Sequence, residues 1–212
     1  MSNNKQYKHI DSWKNSKNAF LHQLQINKEA IASGEAERVP HWVNLINYIK
    51  THNPKRIVDV GCGIGCYYPV LENLDVEYIG YDYSQHAIDI AKKEWGGNFV
   101  CKLYQEIMPE DIHSGDLIVA NGLTDILPEG DKCIEHLLSL DANELLIQRI
   151  RITEQPNYFK EYMAYGIMTY EFYHNREQLM STIDYYGYKL GEITRLFTPA
   201  EDIFDIEIRK SK

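Results

Sequence analysis

Three glycines at alternate positions, Gly61, Gly63 and Gly65, follow the run Arg56-Ile57-Val58-Asp59-Val60, and the acidic Asp59 stands just ahead of them. The apolar run predicts a buried strand that breaks into a turn. Glycine tolerates positive φ and has no Cβ, so a ligand can lie against the bare backbone of such a turn. At the carboxyl end of a parallel strand, this is where open α/β sheets bind nucleotide-like ligands. The spacing is not that of the dinucleotide fingerprint G-x-G-x-x-G, whose third glycine would fall at Cys66. A second run, Tyr78-Ile79-Gly80-Tyr81, ends in Asp82, and a carboxylate there can accept both hydroxyls of a ribose.

The stretches D-V-G-C-G-I-G (59–65), Y-I-G-Y-D-Y-S (78–84) and D-L-I-V-A-N (116–121) occur in that order. Together they resemble the motifs of class I S-adenosylmethionine-dependent methyltransferases. By motif the resemblance covers about residues 54–152, and beyond them only the order of elements agrees. It implies an α/β fold: a single-domain, Rossmann-like, doubly wound, mostly parallel seven-stranded sheet whose last strand is antiparallel, preceded by N-terminal helices. It also implies the cofactor S-adenosyl-L-methionine. Asp59 would then orient the cofactor's ammonium or the turn itself, Asp82 would take the ribose, and Tyr83 would flank the adenine. Gly61, Gly63 and Gly65 would receive the methionine portion, with Cys62 packed as a small residue within the turn. Amides at the start of the next helix would meet the carboxylate.

Two departures from the family pattern matter. Where members often carry an acidic residue that accepts from the adenine amino group, this chain has Tyr104 followed by Gln105. Asn121 follows the fourth strand, as in base-methylating enzymes with N-P-P-Y, but Gly122-Leu123-Thr124 replaces the proline–aromatic clamp. Asn121 and Gly122 remain candidates for lining the reaction centre because they end a central strand. Each carboxylate also has a plainer role: Asp59 can bond its own turn, and Asp82 can cap the following helix, although Ser84 is placed to do that.

Methyl transfer is an in-line displacement at an already activated carbon, so alignment supplies much of the acceleration. An oxygen nucleophile adds the need for a base, and an amine must be neutral. Of the eight histidines, His174 is the candidate base, since it ends an aromatic-rich segment, 154–174, expected to cover the site as a lid. Tyr162, Tyr165 and Tyr170 in that segment and Arg149 on the fifth strand are candidate acceptor contacts, with packing and surface ion pairs as their alternatives. The expected activity is methyl transfer to O or N of a small polar metabolite. The competing readings are transfer to a nucleotide- or lipid-linked sugar precursor, and a non-catalytic cofactor-binding regulatory module.

Composition bounds the rest. The chain has 212 residues, 44% apolar and 25% charged, enough for one domain with a substantial core. A net charge of −9 opposes a nucleic-acid substrate, which clustered Lys and Arg would hold. No apolar stretch nears the roughly 20 residues of a membrane span. Four cysteines without zinc spacing suit a reducing cytoplasm and argue against a metal site. Residues 1–53 read as a helical cap, with helices over about 17–32 and 40–50. The first 16 residues are expected to be poorly ordered, or ordered only over a ligand. Residues 54–212 read as the core: strands over 56–60, 77–81, 99–103, 117–120, 145–152, 189–197 and 203–209, with helices over about 66–73, 85–95, 131–139 and 176–186.

Overall fold

The computed structural model describes residues 7–9, 11–197 and 202–211. Two helices come first, α1 (Lys17–Ala32) and α2 (Pro40–His52). Pro40 opens α2, where its missing N–H costs nothing, and Asn53 closes it with a left-handed φ of 51°. Strand and helix then alternate: β1 (Arg56–Val60), α3 (Tyr67–Val70), β2 (Glu77–Asp82), α4 (Gln85–Trp95), β3 (Phe99–Cys101), β4 (Asp116–Asn121), α5 (Gly130–Ser139) and β5 (Glu144–Thr153). After these come β6 (Tyr158–Ala164), β7 (Ile167–Asn175), α6 (Arg176–Tyr185), β8 (Tyr188–Arg195) and β9 (Ile203–Lys210). Ser84 and Asn175 cap α4 and α6, each side chain accepting a first-turn amide.

Seven strands form the doubly wound sheet in the order β3-β2-β1-β4-β5-β9-β8. β1 to β5 pair in parallel, and β9 runs antiparallel to both β5 and β8. Alternate residues of each central strand serve opposite faces, as strand geometry requires. Val58, Ile118 and Ile147 pack with Leu137 of α5 and Ile183 of α6. Ile57, Val119 and Leu146 pack with Trp42 and Leu45 of α2 and Ile88 and Ala91 of α4. Helices therefore cover both faces, as strand–helix alternation predicts.

Three local expectations give way. The helix after the glycine turn spans Tyr67–Val70 rather than reaching residue 73, because Leu71 N–H is already shared between the Tyr67 and Tyr68 carbonyls. The 154–174 segment is not an irregular lid but an antiparallel hairpin, β6 with β7, extending the sheet order beyond seven strands. Tyr165 (φ 49°) and Gly166 (φ 79°) turn it, the paired positive φ values of a tight hairpin. The N-terminal segment packs over residues 7–9 and 11–16, and the remainder of the 1–16 expectation lies outside the described residues, as does most of the turn at 198–201.

β5 changes partner along its length. Glu144 to Arg151 pair with β9, whereas Ile152 and Thr153 pair in parallel with His174 and Asn175 of β7. The β9 register slips between Ile147 and Ile150, and at that bulge Arg149 takes a φ of 60°. Among the described residues no helix is long and apolar enough to cross a membrane, and no cluster of His, Cys, Asp or Glu has the arrangement to hold a metal ion.

Candidate active site

A cavity of about 530 Å³ opens at the carboxyl ends of β1, β2, β4 and β5. The glycine turn forms one wall. Gly61 and Gly63 have φ of 76° and 53°, and a Cβ on Gly63 would meet only the Gln23 side-chain oxygen at 3.7 Å, so its backbone stays open to the cavity. Gly65 does something else: it lies outside the cavity wall, and a Cβ there would stand 2.3 Å from the Phe99 ring. The third glycine thus lets β3 close on the turn. Cys62 lies over Gly80, where any added Cβ would come within 2.8 Å of its sulfur. With α3 reduced to one turn, few peptide dipoles align toward the cavity, so the helix-terminus contribution foreseen from sequence is small.

Two carboxylates face the cavity from neighbouring strands. Asp82 accepts the Gly63 amide at 2.9 Å and the Ser84 amide at 2.8 Å, and burial pushes it up to about 6. Each oxygen keeps a further lone pair. Asp59 accepts the Tyr78 hydroxyl at 2.6 Å, and burial, with Asp82 nearby, pushes it up to about 7. Tyr83, Tyr104 and Gln105 line the same cavity. The Tyr83 hydroxyl accepts the Lys14 amide at 3.0 Å, and Tyr104 packs edge-on to His136.

The adjoining wall comes from β4 and β5. Asn121 Oδ1 accepts Arg149 Nε at 2.7 Å, and Arg149 N donates to Asp205 Oδ1 at 3.0 Å. Gly122, with φ of 60°, leaves room for that guanidinium, which would lie 2.0 Å from a Cβ. Asp205 is buried and also accepts Asn44 Nδ2 and Gln148 Nε2, each at 2.8 Å, while Gln148 Oε1 takes the Tyr67 hydroxyl. This polar network fixes the bulge from which Arg149 enters the cavity.

The roof is the hairpin and the N-terminal segment together. Tyr162, Tyr165, Thr169 and Tyr170 line the cavity, as do Asp11 and Trp13. Trp13 Nε1 donates to Thr169 Oγ1 at 3.2 Å, and the His9 amide donates to the Tyr170 hydroxyl at 2.9 Å. Ser84 Oγ donates to the Lys14 carbonyl at 3.1 Å. Residues 7–9 and 11–16 therefore strap the end of β2 to the hairpin.

The sequence candidates converge with two exceptions: Gly65 packs against Phe99 as described, and His174 does not reach the cavity. His174 is buried on β7, where desolvation takes it down to about 3, and it meets the Thr124 backbone instead. Its imidazole stays neutral and helps hold the loop after β4, so the sequence-based choice of base does not fit. Sequence reading passed over Asp125 and Glu171, which stand in the cavity wall with Arg151. The signal for Glu171 was strand alternation on β7; Asp125 sits in an irregular loop that carries no period.

The family model for a methyltransferase domain matches residues 51–198. No curated protein sequence matches this one. Among solved structures, the fold is similar to magnesium protoporphyrin IX methyltransferase from Synechocystis PCC 6803 with bound SAM, at 14% identity over 95% of each chain and a TM-score of 0.66. It is also similar to an S-adenosylmethionine-dependent methyltransferase from Clostridium acetobutylicum ATCC 824, at 8% identity over 91% of this chain and 99% of that one, TM-score 0.64. A third is the Burkholderia thailandensis 1,6-didemethyltoxoflavin-N1-methyltransferase, with bound 1,6-didemethyltoxoflavin and S-adenosylhomocysteine, at 13% identity over 92% and 88%, TM-score 0.57.

Proposed function

The chain belongs to the methyltransferase-domain family and is a class I S-adenosylmethionine-dependent methyltransferase, and from that premise we propose that it methylates an oxygen or nitrogen of a small polar metabolite. The observation that carries this reading is the pairing of Asp82 with the open backbone of Gly63 inside one cavity. That pairing offers a carboxylate with spare lone pairs for ribose hydroxyls beside a surface with no side chain to obstruct the methionine portion. Asp59 orients the turn and faces the ammonium, Tyr83 flanks the adenine, and Tyr104 and Gln105 close the adenine end. When bound, the cofactor supplies a methyl already activated as a sulfonium.

The protein's own work is alignment and exclusion of water. Asn121, Gly122 and Arg149 stand at the ends of β4 and β5 beside the glycine turn, so an acceptor held between them and the hairpin meets the cofactor within one cavity. Three facts support a small acceptor. The cavity, at about 530 Å³, falls in the usual range for small-ligand sites. The strap and hairpin roof it. The toxoflavin-precursor enzyme of similar fold holds a small heterocycle. Tyr162, Tyr165 and Tyr170 present rings and hydroxyls to such a molecule.

Calorimetry with S-adenosylhomocysteine and with NAD tests the cofactor half: binding of the first and not the second is expected. Transfer of label from S-adenosyl-L-methionine to a panel of small amines, hydroxy acids and sugars tests the acceptor half. Label appearing only on nucleic acid or protein would overturn the acceptor reading while leaving the enzyme class in place.

A further inference from the structure

Six acidic side chains line the cavity, and five of them are accounted for. Asp82 holds two backbone amides and Asp59 the Tyr78 hydroxyl. Glu171 is met by Arg151 at 2.5 Å, Lys160 at 2.9 Å and the Tyr173 hydroxyl at 2.7 Å. Glu129 pairs with Lys132, and Asp11 is exposed. The sixth, Asp125, is different: its Oδ1 is buried and has no hydrogen-bond partner among the described residues. Arg149, Arg151 and Glu171 are the charged groups that face it, and none of them bonds it. Arg151 Nε is likewise buried without a partner. An orphan acceptor and an orphan donor thus share the lining of one cavity, and a buried polar atom left unpaired is costly unless a ligand meets it.

The loop carrying Asp125 is held firmly. Its carbonyl accepts the Phe172 amide at 2.7 Å, His174 meets the neighbouring Thr124 backbone, and Gly130 leaves room for the Thr124 carbonyl, which would lie 1.9 Å from a Cβ. The loop starts directly after Asn121 and Gly122, the residues at the carboxyl end of β4. A carboxylate with one unpaired oxygen, held rigidly at that place, has the position and the lone pair to receive a proton from a nucleophile.

We propose that Asp125 is the catalytic base of the reaction, contacting an N–H or O–H group of the acceptor and taking its proton as the methyl is transferred. This rests on the cofactor reading above. The acceptor's lone pair forms the new bond to carbon while the carbon–sulfur bond breaks and its electron pair stays on sulfur. The proton of the acceptor passes to Asp125 Oδ1. A cationic sulfonium, a neutral acceptor and a carboxylate become a neutral thioether, a methylated acceptor and a carboxylic acid, which then releases its proton to solvent. Arg151 Nε is left to position an acceptor oxygen. The acceptor class is therefore one whose nucleophile carries a removable hydrogen next to a hydrogen-bond-accepting group.

The test needs no knowledge of the acceptor. Sinefungin carries a primary ammonium where the transferable methyl would stand, and S-adenosylhomocysteine carries nothing there. If Asp125 faces that point, the wild-type protein binds sinefungin at least tenfold more tightly than S-adenosylhomocysteine by calorimetry. Asp125→Asn removes the preference and leaves S-adenosylhomocysteine affinity unchanged, whereas Asp125→Glu keeps part of it. In the wild type the preference declines as pH falls through about 6, where burial places the Asp125 carboxyl. Effects on Asp82 cancel in the ratio, because both ligands share the ribose, and Glu171, which its partners hold below the usual carboxylate range, stays ionised. A preference that survives Asp125→Asn, or a wild type with no preference, overturns the assignment. A wild type that binds neither nucleoside overturns the cofactor reading instead.

Discussion

The carboxylate of Asp82 grips the amide of Gly63 at 2.9 Å, so the end of the second strand and the open point of the glycine turn are one unit. Anything that binds one is shaped by the other. Replacing Asp82 with Ala removes the ribose acceptor and the tether together. The expected result is a loss of about 10- to 100-fold in affinity for S-adenosylhomocysteine, the range for a hydrogen bond to a charged group. Calorimetry measures it, and unchanged affinity would remove the ribose role.

The protonation state of Asp82 adds a pH dependence. Burial holds its carboxyl up to about 6, and ribose hydroxyls donate to the ionised form. The Asp82 contribution to S-adenosylhomocysteine affinity should therefore be full above about pH 7 and fall as pH drops through 6, by at most about tenfold per unit. Asp59, at about 7, contributes a separate step at higher pH, so the difference between the wild-type and Asp82→Asn profiles isolates the Asp82 step. The variant's affinity should be weaker throughout and flatter below pH 6.

Gly65 tests packing rather than ligand contact. Its φ is 70°, and a methyl group would stand 2.3 Å from Phe99. Gly65→Ala should lower stability by about 1–3 kcal/mol through overpacking and a disfavoured backbone conformation. Urea denaturation reads the change. Gly34→Ala, also at positive φ but with nothing within 4 Å, separates the backbone part from the clash.

Asp205 anchors the bulge beneath Arg149. Asp205→Ala would take one acceptor from each of Arg149 N, Gln148 Nε2 and Asn44 Nδ2, although Gln148 Nε2 keeps the His41 carbonyl, and the loss should be about 2–3 kcal/mol together. Asp205→Asn keeps one acceptor and should fall between. Thermal unfolding of both variants gives the ranking.

The strap is fastened by few bonds. Tyr170→Phe removes the acceptor of the His9 amide while keeping the ring. Global stability should change by less than about 1.5 kcal/mol, the usual worth of one hydrogen bond. Amide exchange across residues 7–9 and 11–16 should accelerate, with the sheet core unaffected.

Much of the sheet was readable because its signals are local. The buried runs at 56–60 and 116–121 have strand length and composition, Ser84 and Asn175 sit where caps belong, and Gly96 stops α4 at a φ of 73°. The hairpin was not readable. β6 is exposed along almost its whole length, so it shows no alternation, and a Tyr-Gly turn lacks the usual Asn-Gly signature. The cavity's first wall could be anticipated because its glycines and carboxylates lie on consecutive strands. Its second wall could be anticipated only in part: Asn121, Gly122 and Arg149 follow from the strands that carry them, whereas Asp125 reaches the cavity from an aperiodic loop and the register slip in β5 that sets the Arg149 backbone leaves no local signal. Periodicity cannot announce a bulge that depends on a partner strand distant in the chain, where Ile206 meets Ile147 and Phe204 meets Ile150.

β5 gives its first eight residues to the closing strand β9 and only its last two to the hairpin. The two halves of the chamber consequently rest on different stretches of one strand. Resculpting the exposed residues 158–164 alters which molecules fit beneath the roof while the β5–β9 pairing and the Phe172–Asp125 bond stay in place, so acceptor range can drift apart from the seat of the nucleoside.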